Sequence, residues 1–165
     1  MQTPTDVSSI TVRSAVAEDA HAIAEIWESA WRDAHLGHVP DSLVEVRTAE
    51  SFRERAGALV PETSVAVVDG VVAGFVTLDA DELEQLFVDR DHRGTGVADA
   101  LMADAERRLR AAGHRQVWLA VVAGNARARR FYERSGWTDE GPFEYSAYGW
   151  DGPITVAAHR YVKAI

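Results

Sequence analysis

Hydrophobic positions change period several times along the chain, and each change marks an element. Ile10-Thr11-Val12-Arg13 alternates and reads as a short strand. From Glu18 to about Leu36, Ala20, Ile23, Ala24, Trp27, Trp31 and Ala34 recur at helical spacing; Gly37 ends the run and Pro40 confirms the break. Thr48 to Leu59 is a weaker helix or a pair of turns, with Phe52, Ala56 and Leu59 on one side. Ser64 to Val68 and Val71 to Leu78 are strands joined by Asp69-Gly70, a pair that favours a type I′ turn and so an antiparallel hairpin. Asp79-Ala80-Asp81 is a turn, and Glu82 to Val88 is the next strand. Thr95 to Ala112 is a helix with Ala98, Leu101, Met102, Ala105, Leu109 and Ala112 on its buried face, closed by Gly113. Gln116 to Val122 is apolar on both faces, as in a central strand. Asn125 caps a helix to Arg134, which Gly136 stops. Phe143 to Tyr148 and Thr155 to Val162 read as strands, with Asp151-Gly152-Pro153 as the turn between them.

The order is β-α-α-β-β-β-α-β-α-β-β, an α/β (α+β) arrangement with a right-handed βαβ unit around residues 82–122. No repeat, linker or low-complexity tract interrupts it, and 165 residues suit one domain, 1–165. Hydrophobic residues make up 47%, which suits a packed globule. No apolar run reaches membrane-spanning length and no signal-peptide pattern opens the chain, so a cytoplasmic location and no membrane partner are expected. The absence of cysteine excludes disulfides, thiolate metal sites and an acyl-cysteine intermediate.

Charge narrows the partners. A net charge of −9 argues against nucleic acid and is compatible with an amine. Locally the sign reverses: Arg127, Arg129, Arg130 and Arg134 cluster late, and Arg90 and Arg93 lie in a Gly-rich turn. If folding joins the two groups they form a basic rim; otherwise each is a solvated helix face.

That Gly-rich turn runs within Leu86 to Met102, from strand to amphipathic helix. Such a turn presents free N–H groups at a helix N-terminus, where phosphate oxygens bind well. Gly94 and Gly96 let the main chain approach a ligand, and Arg93 adds a positive charge, so the turn suits a pyrophosphate. A turn that merely closes a βα unit is the plain alternative. A dinucleotide-binding turn needs a glycine where Asp99 stands, and no Gly-Lys-Ser/Thr follows as a Walker A loop requires.

Arg93-Gly94-Thr95-Gly96-Val97-Ala98 resembles the Gln/Arg-x-x-Gly-x-Gly/Ala signature of the GNAT superfamily of acyl-CoA-dependent N-acyltransferases, and Leu86-Phe87-Val88 resembles the strand before it. Arg90 stands where the family usually has Pro, and Ala98 where it often has Gly. Asn125 to Trp137 resembles a second motif, Asn-x-x-Ala-x-x-x-Tyr-x-x-x-Gly-Phe, with Ala128 and Tyr132 in place and Trp137 for the Phe. Ala30 to Pro40 is similar to a third, Ser-Trp-x-x-Ala-Tyr-x-Gly-x-x-Pro, with His35 for the Tyr, and His159-Arg160-Tyr161-Val162 to the closing strand. His35 and His38 also read as a His-x-x-His metal pair, but Gly37 breaks the helix between them and no third ligand is evident; no metal is expected.

The resemblance implies a mixed, mostly antiparallel central sheet flanked by helices, with one parallel βαβ unit at the CoA site. It implies an acetyl-CoA-dependent N-acetyltransferase acting on a primary amine by direct attack in a ternary complex. Arg93, Gly94, Thr95, Gly96, Val97, Ala98 and Asp99 would anchor the pyrophosphate, and Phe87 and Val88 would hold pantetheine and polarise the thioester. Asn125 can offer its amide to pantetheine, or only cap its helix. Tyr132, two turns along, can protonate the departing thiolate, or only pack. Glu82 and Glu84 share a strand face by period-two alternation, with Leu86 between them and the cofactor, so either is a candidate base. Glu82 aligns with the base of histone-type members; bulk water is the alternative to both. A longer acyl-CoA, a protein N-terminus as acceptor, a non-catalytic acyl-CoA-binding regulatory module and a homodimer stay open, and the amine is not identified.

Overall fold

A computed structural model describes residues 9–149 and 152–165. The hairpin at its centre follows from two residues. Asp69 and Gly70 both take positive φ, 51° and 77°, as a type I′ turn requires. They join β2 (Thr63–Val68) to β3 (Val71–Asp79) in antiparallel register. The other elements are β1 (Ile10–Ser14), α1 (Ala20–His35), α2 (Asp41–Val46), α3 (Ala49–Leu59), β4 (Glu82–Val88), α4 (Val97–Ala111), β5 (Gln116–Val122), α5 (Ala126–Arg134), β6 (Thr138–Gly149) and β7 (Gly152–Ala164).

The strands form one seven-stranded sheet in the order β1-β2-β3-β4-β5-β7-β6, and β4–β5 is its parallel pair. Helices pack on both faces. Val97, Leu101, Met102, Ala105 and Leu109 of α4 meet Val76, Leu83, Leu119 and Val121 on one face. On the other, Trp27 and Trp31 of α1 and Phe52 and Ala56 of α3 cover Val65, Phe75 and Val122.

Several expectations are corrected. α2 was not anticipated: it has six residues, with only Leu43 and Val46 buried, too few to show a period. The segment after it is one helix, whose N-cap Thr48 accepts from the Ser51 N–H at 3.1 Å. α4 starts at Val97, not Thr95, because Gly96 is left-handed at φ 91°. Its buried face therefore opens on Val97 rather than Ala98, and Ala112 is exposed. β6 and β7 are longer than their patterns suggested. Of the expected turn, Asp151 lies outside the described residues, and Gly152 and Pro153 belong to β7.

Two irregularities in β4 position the site. Thr77 pairs with Gln85 and Leu78 with Leu83, so Glu84 is an extra residue in a bulge. Parity reverses across it: Leu83 and Leu86, three apart, both pack toward α4. The expected alternation of Glu82, Glu84 and Leu86 on one face fails for that reason. Second, β4 pairs with β5 only at Glu82↔Trp118. Beyond that point the strands part, and the free edge of β4 keeps its peptide groups available. β3 supports β4 from behind at Gly74, where a Cβ would stand 2.9 Å from the Phe87 carbonyl oxygen.

Candidate active site

Two cavities meet where β4 and β5 separate, and Leu86, Phe87, Asn125, Ala128 and Tyr132 line both. The first, about 340 Å³, also takes in Val88, Arg93, Gly94, Gly96, Ala98 and Asp99. Two residues of the expected set do not line it. The Thr95 hydroxyl donates to the His92 carbonyl, and the Val97 side chain is buried in the core. Their peptide groups nevertheless belong to the loop. No N–H from Gly94 to Asp99 donates to another described residue, and α4 has no side-chain cap. That is a row of donors at a positive helix end, fit for phosphate oxygens. Gly96 is needed for its backbone: φ is 91°, and an added Cβ would meet only Ile10, at 3.7 Å.

Charge at this mouth is shared differently from the simple basic rim. Asp33 of α1 accepts from Arg90 Nη2 at 2.7 Å and from Arg93 Nη2 at 3.0 Å. Arg93 is therefore held by a carboxylate that the sequence did not single out. Arg127 approaches the pair, its pKa lowered by burial and by Arg93. Arg134 lines the cavity as well. Arg129 turns away, donating to Tyr161 Oη, the Ala123 carbonyl and Asp139, each at 3.2 Å. Arg130 is exposed.

α5 presents Asn125 and Tyr132 to both cavities. Asn125 Oδ1 accepts from the Ala128 N–H at 3.2 Å as the helix N-cap, which leaves its amide N–H groups for other partners. The Tyr132 hydroxyl makes no hydrogen bond to a described residue. The ring is buried among Phe131, Trp137 and Tyr161, and burial raises the phenol's pKa, so it stays protonated.

The second cavity, about 170 Å³, lies on the α1–α3 side. Glu82 and Glu84 both line it despite the bulge. Glu82 is 8% exposed. Burial pushes its carboxyl up to about 7, and Glu84, Asp79 and Asp81 push the same way. Tyr145 of β6 opposes them by donating from Oη to Glu82 Oε2 at 3.1 Å. Glu84 is also raised by burial, against the nearby Arg55. His35 donates from Nδ1 to the Trp31 carbonyl at 2.9 Å and stacks on that indole, ring centroids 4.7 Å apart. Burial lowers its pKa to about 4, so it is neutral and a weak base. Tyr145, Arg47 and Arg55 join this cavity without having been expected there. For Tyr145 the nearest signal in the sequence was the strand pattern around Phe143 and Tyr145, which says nothing of what the strand faces.

No group of three or more His, Cys, Asp or Glu able to hold a metal occurs among the described residues. No helix among them is long and apolar enough to cross a membrane.

Known proteins resemble this chain in sequence and in fold. An uncharacterised N-acetyltransferase of Mycobacterium tuberculosis is 37% identical over 113 residues, covering 65% of this chain and 70% of its own. A GCN5-related N-acetyltransferase structure from Rhodopseudomonas palustris superposes with a TM-score of 0.78, at 22% identity over 96% of this chain and 97% of its own. PaiA N-acetyltransferase of Thermoplasma acidophilum, in complex with coenzyme A, gives 0.73 at 18% identity over 95% and 99%. The profile of the Acetyltransferase (GNAT) family matches residues 20–137. That span takes in α1, the strand carrying Glu82, the Gly loop and the helix of Tyr132 as one continuous match, and on it the chain belongs to the GNAT family of acetyltransferases.

Proposed function

We propose that the protein transfers an acetyl group from acetyl-CoA to a primary amine by direct attack in a ternary complex. The observation that supports it most is the meeting of two cavities at the open edge of β4, with a carboxyl near pH 7 in one and a protonated phenol at their junction. Acetyl-CoA supplies an activated thioester, so the chain has only to hold, orient and move protons.

The N–H groups of Gly94 to Asp99 bind the pyrophosphate, with Arg93 and Arg127 beside it. The unpaired edge of β4 at Phe87 and Val88 hydrogen-bonds pantetheine, and a main-chain N–H there polarises the thioester carbonyl. The side-chain amide of Asn125 binds from the opposite wall. Glu82 removes a proton from the ammonium; a base is most effective with its pKa near the working pH, which burial provides here. Tyr132 gives its proton to the departing thiolate. The chain has no cysteine to carry an acyl group, which favours transfer without an acyl-thiol enzyme.

Micromolar acetyl-CoA should raise the melting temperature, and Gly96→Val should abolish the rise by straining the loop backbone. CoA release across an amine panel then reads transfer. Stabilisation by NADH or ATP but not by CoA overturns the proposal. Binding without release on any amine leaves an acyl-CoA-binding module instead.

A further inference from the structure

α5 is short and lightly packed. Of its nine residues only Tyr132 is buried, and a helix of that length has little stability of its own. Apolar packing therefore holds its place on the sheet weakly. On the proposed function, however, Asn125 and Tyr132 must keep a set distance from β4. Polar ties supply what packing does not.

Arg129 donates from three nitrogens to three segments of the chain: Nη1 to the Ala123 carbonyl, Nε to Tyr161 Oη on β7 and Nη2 to Asp139 on β6, each at 3.2 Å. Its main-chain N–H donates to the Asn125 carbonyl at 3.1 Å, so one residue grips the turn on both sides of Gly124. Tyr161 is fully buried; its hydroxyl donates in turn to Glu133 Oε1 at 3.1 Å, and its ring stands against that of Tyr132, centroids 6.2 Å apart. Asp139 is itself held, by His159 Nδ1 at 3.0 Å and by the Gly141 N–H at 2.8 Å within a bulge of β6. Three acceptors on three segments suit a planar fork of donors; an ammonium, with its donors on one atom, cannot reach them together. The far end of α5 has a separate tie: Lys163 Nζ donates to the Ser135 carbonyl at 2.7 Å and pairs with Glu106 of α4 at 2.8 Å. Arg129 ties the end that carries Asn125.

We propose that Arg129 is a positioning residue for acetyl transfer: its guanidinium sets the turn that presents the Asn125 amide and, through Tyr161, the ring that presents the Tyr132 hydroxyl. The inference rests on the roles proposed for Asn125 and Tyr132.

The test is a pair of double-mutant cycles. Arg129→Lys keeps the charge and loses the fork. Alone it should lower kcat for CoA release by about tenfold and weaken acetyl-CoA binding, read by calorimetry, by roughly threefold. In the Tyr132→Phe background the fall in kcat should vanish. In the Asn125→Ser background, which keeps a helix cap and loses the amide, the loss of affinity should vanish. Tyr161→Phe removes only the hydroxyl link and serves where Arg129→Lys impairs folding; it should lower kcat, again not in the Tyr132→Phe background, and leave affinity unchanged. Lys163→Met, at the far end of α5, should lower the melting temperature and leave kcat and affinity nearly unchanged. Effects that multiply independently in both cycles, or a loss in Lys163→Met equal to that in Arg129→Lys, make Arg129 a tie of the fold; they overturn the inference and leave acetyl transfer standing. A full kcat in Tyr132→Phe overturns the acid, and Arg129 as its support with it. Coupled loss of acetyl-CoA affinity in a protein that releases no CoA on any amine upholds the placement of Asn125 and overturns transfer.

Discussion

Tyr145 Oη donates to Glu82 Oε2 at 3.1 Å, across 63 residues of sequence, and is the contact that restrains the rise of the Glu82 pKa. The bond favours the ionised carboxylate, whereas burial and the neighbouring charge of Glu84 favour the protonated one. Two substitutions should therefore move the same titration in opposite directions. Tyr145→Phe removes the bond, and the ascending limb of kcat/KM should shift above its wild-type position near pH 7. Glu84→Gln removes a like charge, and the limb should shift below it. Glu82→Gln should abolish the limb and leave a rate that rises only as the free amine appears, near pH 10 for a lysine-like group. A limb indifferent to all three changes assigns the base elsewhere.

The same carboxyl links stability to pH. An acid whose native pKa is raised keeps its proton to higher pH than the unfolded chain does. Between about 4.5 and 7 the native state binds more protons, so stability falls as pH rises through that window and is level above it. A carboxyl held near 7 rather than 4.5 costs the native state at most on the order of 3 kcal/mol at pH 8. Glu82→Gln should therefore stabilise the protein at pH 8 relative to wild type, and much less at pH 4. Denaturant melts at the two pH values measure the difference; equal effects of the substitution at both would place Glu82 in a solvated setting.

The sequence announced the parts of this site that depend on local geometry. Asp69-Gly70 fixes its turn by its own dihedrals, the glycines at 94 and 96 shape the loop by theirs, and Asn125 caps the helix it precedes. The cavity proposed for the acceptor was hidden because its contacts are distant in sequence. Tyr145 reaches Glu82 across 63 residues and Arg90 reaches Asp33 across 57. Neither contact leaves a mark in a short window. The bulge at Glu84 escaped for another reason: with polar residues at 82, 84 and 85, the pattern looks the same with or without an extra residue. α2 escaped because six residues hold fewer than two turns.

Tyr132 offers a separation of chemistry from packing. Its ring is buried and its hydroxyl has no partner among the described residues, so removing the hydroxyl forfeits no hydrogen bond to them. Tyr132→Phe should leave the melting temperature level or slightly raised, and acetyl-CoA affinity nearly unchanged. If the phenol protonates the thiolate, kcat should fall by about 10²-fold. A full kcat in the variant would reduce Tyr132 to an aromatic wall.

On the proposed function, Asp33 sets the charge that an incoming pyrophosphate would meet. Its carboxyl is held below the ordinary range first by Arg90 and then by Arg93, against the opposing effect of burial, so it is ionised at any working pH. It thus neutralises part of the loop's positive charge before a phosphate arrives. Arg90 is 64% exposed, so the pair is well solvated and contributes little to folding. Asp33→Asn should then leave the melting temperature of the free protein nearly unchanged. Acetyl-CoA, whose phosphates are anionic, should bind the variant more tightly, by roughly three- to tenfold at low ionic strength where screening is weak. The advantage should fade toward 1 M salt, where the Debye length is about 3 Å. Looser binding at low salt would mean instead that Asp33 serves chiefly to hold Arg93 in place, and that its loss frees the side chain faster than it strengthens the field.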